Sequence, residues 1–178
     1  MKTLRDFNFY NKRVLVRVDF NVPLGDDDRV DEKEDWRLKA TLPTIDYLLN
    51  QKAKIILLAH LGRPGGKIVE SLRLNPIARR LEELLSRTIV KLDDCLGRKI
   101  EEKLENIQKG EIVLLENLRF HKEEEANEPD FSRKLAELGE IYVNDAFGNI
   151  HRAHASIVGL PRYLPACAGL LLEKEIQA

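Results

Sequence analysis

The chain has little of what would tie it to a metal, a membrane or a nucleic acid. It carries two cysteines, Cys95 and Cys167, too few and too far apart for a disulfide framework or a zinc site. Buried thiols in a reducing compartment are the expectation. Neither sign of charge is in excess, with 29 Lys and Arg against 30 Asp and Glu and a net charge of −1. Bulk attraction to nucleic acid or anionic membrane needs a strong basic surplus. Neither partner is expected, and any anion must be held by a local cluster of cations. No apolar stretch approaches membrane-spanning length, and Met1-Lys-Thr-Leu-Arg-Asp-Phe7 lacks the apolar core of a secretion signal. A soluble, cytoplasmic protein is expected. Linkers, low-complexity tracts and solenoid repeats are missing too, and 178 residues suit one domain with a sizeable core.

Several ligand motifs are also absent. No Gly-x-Gly-x-x-Gly follows a strand, which removes the usual dinucleotide fingerprint. Gly65-Gly66-Lys67 fails as a P-loop, because Leu61 stands where the first glycine belongs and Ile68 where Ser or Thr is needed. The run from Asp26 to Asp35 lacks the alternating ligands, central Gly and closing Glu of a calcium loop; a solvated loop is expected there. His60, His121, His151 and His154 are scattered without a helical His-Glu-x-x-His, so no metal site is expected. His151 and His154 read as extra donors at an anion site or as packing residues.

What is present is an alternation of strands and helices. Apolar runs at 12–18, 54–59, 112–115 and 141–143 read as strands buried on both faces, with a short strand at 88–92. Between them, apolar residues three and four apart predict helices around Leu42–Leu49, Leu74–Arg87, Ile100–Ile107 and Phe131–Leu138. Pro43 is placed in a first turn, and Arg79, Arg80, Glu82 and Glu83 on a wet face. Gly110 and Gly139 mark helix stops. The pattern predicts an α/β domain, three-layer αβα and Rossmann-like, around a mainly parallel sheet.

The four long strands leave into loops with one grammar: Asp19-Phe20-Asn21, His60-Leu61-Gly62-Arg63, Glu116-Asn-Leu-Arg119, and Asn144-Asp-Ala-Phe-Gly148-Asn-Ile-His-Arg152. Parallel strands place their carboxyl ends along one rim, where open α/β sheets bind ligands. Convergence would gather Arg63, Arg119 and Arg152 beside Asp19 and Asn21. Three guanidiniums at one rim repel each other unless an anion neutralises them. The expected ligand is a small phosphorylated metabolite, its phosphate on the arginines and its hydroxyl on Asp19 or Asn21.

These segments, with Arg17-Val-Asp19-Phe-Asn21-Val-Pro23, Leu42-Pro-Thr-Ile45, His60-Leu-Gly-Arg-Pro64, Glu116-Asn-Leu-Arg-Phe120 and His151-Arg-Ala-His-Ala-Ser156, resemble in order and spacing the N-terminal half of phosphoglycerate kinase. The resemblance runs from about residue 4 to Ile176. It implies a two-lobed, monomeric, cytoplasmic glycolytic kinase that exchanges a phosphoryl group between 1,3-bisphosphoglycerate and ADP, giving 3-phosphoglycerate and ATP. By that resemblance Asp19, Phe20 and Asn21 meet the glycerate end. His60, Leu61, Gly62, Arg63, Arg119 and Arg152 cradle the 3-phosphate. Arg37, in Asp35-Trp36-Arg37-Leu38, reaches the carboxylate and the transferring phosphoryl; its position after an acidic run gives no such hint by itself. The magnesium nucleotide is expected on a C-terminal lobe lying beyond residue 178. Residues 1–178 then form one substrate-binding domain, with about 166–178 opening an interdomain segment. Alone, it is expected to bind substrate without turnover and to hold no cofactor. Asn149-Ile150 departs from the small residues usual before His-Arg, and the loop before Arg37 is more acidic than usual. The alternative is a non-catalytic module that binds a phosphometabolite or a partner protein.

Overall fold

Successive side chains along each apolar run point to opposite interiors. Val14, Val16, Ile55, Leu57, Ile112, Leu114 and Val143 enter one core of 26 buried residues. Leu15, Ile56, Leu58, Val113, Leu115 and Tyr142 enter a second of 17. That alternation requires a sheet covered on both faces. The computed structural model, which describes residues 1–178, shows how the cover is built. Six strands, β1 (Arg13–Val18), β2 (Lys54–Leu58), β3 (Val90–Lys91), β4 (Ile112–Leu114), β5 (Ile141–Asp145) and β6 (Ala166–Ala168), lie in the order β3-β4-β2-β1-β5-β6. All pairings are parallel.

Helices α1 (Trp36–Asn50) and α2 (Asn75–Leu85) cover the first face, through Leu38, Ile45, Leu48, Ile77 and Leu81. Helices α3 (Arg98–Glu105) and α5 (Pro129–Ala136) cover the second, through Ile100, Leu104, Phe131 and Leu135. A one-turn helix, α4 (Lys122–Glu125), precedes α5, and α6 (Leu170–Gln177) packs beside α1. The three-layer, Rossmann-like α/β architecture is therefore the one the sequence pattern calls for. None of the helices is long and apolar enough to cross a membrane. Both cysteines are free and buried.

Four local expectations need correcting. Helix α1 begins at Trp36, so Pro43 lies in its interior and not in a first turn. Its missing N–H leaves the Lys39 carbonyl without a helical partner, and both residues lie on the exposed face, where water can take the bond. Arg80 is not on a wet face: its Nη2 lies 2.7 Å from Asp35 Oδ2, and Asp35, at the end of the acidic run, is buried. The strand at 141–143 continues to Asp145, so Asn144 and Asp145 belong to β5 and not to its exit loop. Strand β6, which periodicity does not reveal, is Ala-Cys-Ala. It has no β-branched or aromatic residue to announce it, and pairing with β5 makes it. Residues 166–168 are thus part of the sheet itself.

Candidate functional site

The strand order reverses direction on either side of β1: β2 and β4 lie to one side and β5 to the other. Such a switch point opens a crevice at the strands' carboxyl ends. A cleft of about 250 Å³ lies there, lined by Asp19, Asn21, Arg37, His60, Gly62, Arg63, Arg119, Gly148, Asn149 and Arg152. No apolar side chain is among them. A larger cavity of about 770 Å³ lies between residues 25–32 and α2. Its walls mix both signs of charge, and its Arg80 is already paired with Asp35 and Glu83. The smaller cleft is the better ligand site because its walls lie at the switch point and two of its arginines, Arg63 and Arg152, make no ion pair.

The backbone of the cleft is held from several sides. Asn21 Oδ1 accepts the Gly62 N–H at 2.9 Å, joining the β1 and β2 exits. Asp19 Oδ1 accepts the Asn21 N–H, and Asp19 Oδ2 accepts from Arg37 Nη1 at 2.8 Å. Arg37 therefore reaches inward from the first turn of α1, with its guanidinium 5.0 Å from the Trp36 ring centroid. Gly148 lies against Asp19; a Cβ there would stand 2.7 Å from Asp19 Oδ2. The expected result of Gly148→Ala is a displaced Asp19, a lost Arg37 contact and a penalty of about 1–3 kcal/mol. A thermal melt that matches the parent would show that this close approach is dispensable.

The arginines differ in setting. Arg63 and Arg152 are exposed and make no ion pair. Arg119 is 6% exposed; its Nη1 donates to the Gly62 carbonyl at 3.3 Å, and its buried Nε has no hydrogen-bond partner. Glu125 Oε1 lies 3.3 Å from that nitrogen, near enough to attract but out of line for a bond. Burial pulls the Arg119 pKa down; Glu125 opposes this, while Arg17 and Arg152 add to it. A bound anion would relieve the strain of both burial and repulsion.

Beneath the cleft is a residue that the sequence reading left out. Arg17 is fully buried. Its Nε donates to Ser156 Oγ at 2.8 Å, its Nη1 to the Val18 carbonyl and its Nη2 to His60 Nδ1 at 3.0 Å. Ser156 in turn donates to Glu124, also fully buried, which supplies the opposing charge. A guanidinium can only donate, so His60 Nδ1 must carry no proton and the ring's N–H is on Nε2. Burial first, then Arg17 and Arg119, depress the His60 pKa to about 2. His60 is a neutral donor on the cleft wall. A charge within an otherwise apolar strand, facing the same side as Leu15, is the sequence signal that could have found Arg17.

Phe20 and Leu61 do not reach the cleft with their side chains. Both are buried in the first core, so only their backbone stands near it. His154 is buried, with Nδ1 unpartnered and its pKa lowered chiefly by burial, and His151 is exposed; neither lines the cleft. His121 lies elsewhere, its Nε2 bonded to Asp94 Oδ1 at 2.7 Å beside the buried Cys95.

Comparison with known proteins places this geometry in context. The profile of a family described as phosphoglycerate kinase matches residues 4–178. The phosphoglycerate kinase of Moorella thermoacetica is 57% identical over 175 residues, covering 98% of this chain and 44% of the relative. That of Dictyoglomus turgidum is 53% identical over 174 residues, covering 98% and 43%. Among solved structures, phosphoglycerate kinase from Pyrococcus horikoshii superposes with a TM-score of 0.89 at 39% identity, covering 99% of this chain and 44% of that one. The structure from Coxiella burnetii gives 0.87 at 38% identity, covering 99% and 43%. This chain thus spans less than half the length of the proteins it is similar to.

Proposed function

The chain belongs to the phosphoglycerate kinase family, and from that premise we propose that its cleft holds the phosphoglycerate of a phosphoryl exchange with ATP or ADP. The observation that carries the reading is the wall of the cleft: four arginines and a neutral histidine donor, with no carboxylate committed to Arg63 or Arg152. The phosphate of 3-phosphoglycerate or 1,3-bisphosphoglycerate sits on Arg63, Arg119, Arg152 and the His60 Nε2–H. Asp19 and Asn21 take the hydroxyl. Arg37 exchanges Asp19 for the substrate's carboxyl end.

At that end two anions must meet, since a phosphoryl group moves between a nucleotide and a carboxylate. A fixed cation where the charge is shared lowers the barrier, and Arg37 is the residue placed for it. The cleft does not suit the magnesium of the nucleotide. Its one carboxylate, Asp19, already accepts from Arg37 and from the Asn21 N–H, and the cations around it would oppose a divalent ion. No step is assigned to magnesium within residues 1–178. The nucleotide belongs to a second lobe, which closes on this one in the monomeric, cytoplasmic family enzyme. Residues 1–178 are then one substrate-binding domain, from which α6 leads onward.

Titration calorimetry of residues 1–178 tests the reading. 3-Phosphoglycerate should bind more tightly than glycerol 3-phosphate, which lacks the carboxylate, and more tightly than inorganic phosphate. A coupled assay with saturating 3-phosphoglycerate and Mg-ATP should show no turnover, because one lobe can orient only one of the two reactants. Equal binding of all three ligands, or turnover that follows the chain through its final purification step, would overturn it.

A further inference from the structure

We infer that Asn117 is a positioning residue for the cleft: without touching a ligand, it sets Arg119 against the loop that carries Gly62 and Arg63. The inference rests on the reading of the cleft as an anion site.

Asn117 is 1% exposed and does not line the cleft. Its amide oxygen accepts the Arg119 N–H at 3.1 Å, which opens the single turn Leu118–Phe120. Its amide nitrogen donates to the carbonyls of Leu61 at 2.8 Å and Leu72 at 3.0 Å, at the two ends of the Gly62–Arg63 loop. One acceptor and two donors meet three backbone partners, and among short side chains only a primary amide supplies that set.

Glu116 holds the amide from behind. It is 1% exposed, and its Oε1 accepts the N–H of Asn117 and of Leu74, both at 2.9 Å. Its Oε2 accepts from Lys91 Nζ at 2.7 Å and Arg73 Nη1 at 3.1 Å. A buried carboxylate with four donors has no freedom to turn.

The consequence appears at Arg119. The Gly66 N–H donates to its carbonyl at 3.1 Å, and its Nη1 reaches the Gly62 carbonyl. The guanidinium is thus desolvated before any ligand arrives, with Nε uncommitted. The backbone position that Asn117 helps set fixes the point from which that nitrogen faces an anion or closes on Glu125.

Asn117→Asp keeps the shape and reverses the polarity, turning an oxygen toward the Leu61 and Leu72 carbonyls. Calorimetry with 3-phosphoglycerate and with inorganic phosphate should show binding weaker by about 10-fold, the loss of one or two buried hydrogen bonds. In an Arg119→Ala background the same change should cost less than about 3-fold, since the residue it acts through is gone. The Nε–H resonance of Arg119, narrow and slowly exchanging in the parent, should broaden in the variant. If Asn117→Asp does not fold, Asn117→Ser carries the same comparisons. Unchanged affinity, an equal loss in both backgrounds, or an unaltered Arg119 resonance would each overturn the inference. If the parent binds neither ligand, the anion reading falls, and the Arg119 resonance alone then decides whether Asn117 positions it.

Discussion

Arg119→Ala should weaken the binding of 3-phosphoglycerate by about 10- to 100-fold, the scale of a lost charge-assisted partner. The expected loss exceeds that for either neighbouring arginine because of what each guanidinium gives up on binding. Arg63 and Arg152 are exposed, so water and lost rotamer freedom offset most of what the phosphate offers them. Arg119 is already buried, already ordered by its Gly62 contact, and has a buried N–H without a partner. It therefore supplies more per contact. Alanine at 63 or 152 should cost several-fold less than alanine at 119, and those losses should shrink further as salt rises. Arg119→Lys should also bind poorly, because an ammonium cannot present Nε and Nη1 to two partners at once. Calorimetry at moderate salt measures all four variants. Arg119→Ala binding as tightly as the parent would mean that the phosphate lies elsewhere.

The second large effect is a pH dependence hidden in the parent. His60 has a folded pKa of about 2 against an ordinary 6.5. Between those values the unfolded chain binds the extra proton and the folded chain does not. The stability that neutral His60 contributes is fully present above pH 6.5 and drains as pH falls, at about 1.4 kcal/mol per unit. Asp145 works in the opposite sense. Burial raises its pKa from 3.8 to about 6, so within that window the folded chain binds more protons than the unfolded one. Its contribution grows as pH falls from 6 and is lost as pH rises again.

The two slopes nearly cancel over most of that window. Denaturant titrations at about pH 6.5 and 4.5 should place the parent between two single variants, since the two groups contribute about 2 kcal/mol of opposite sign and His154, lowered by burial, adds the same loss to all three proteins. His60→Gln keeps an acceptor for Arg17 and should gain that amount on acidification. Asp145→Asn keeps an acceptor for the Leu171 and Leu172 N–H groups at the start of α6 and should lose it. Below about pH 3.8 Asp145 has no more to give. His60 then acts with carboxylates such as Asp35 and Asp94, whose pKa values the fold lowers, and the parent itself should fail. Parallel pH profiles for the three proteins would remove both groups from the account.

These two groups also mark how far a sequence can be read. The strand exits were legible because apolar runs ending in Gly, Pro and polar residues have one reading, and parallel topology then forces them to one rim. Arg63, Arg119 and Arg152 could be placed near each other on those grounds, though not ranked by burial. Arg37 entered through resemblance alone, since its reach to Asp19 is a contact across 18 residues. Direction of side chains was the harder matter. Phe20 and Leu61 lie next to cleft residues in the chain, yet the strand period turns them into the core. Arg17 was hidden because nothing local tells that Ser156 and Glu124 will stand beneath it. Asn117 reads as one polar letter of a loop until its three partners, at Leu61, Leu72 and Arg119, are brought together in space.

The order of the sheet also bears on how the chain acquires it. β1 is made early, and it is the strand that pairs with β2 on one edge and β5 on the other. Val14 meets Ile55 on the first edge but Ile141 on the second, so that edge stays open until some 127 later residues exist. Closing such a span carries a loop entropy that nothing nearby repays, and contacts this distant slow folding. On the ribosome, at about 5–20 residues per second, a buried Val-Leu-Val edge would stand unpaired for on the order of ten seconds. During that interval Arg13 and Arg17 are the charges that mark the strand, and charge on an open strand edge discourages pairing with a stranger. The guanidinium that later orients His60 sits where it can first guard the nascent chain.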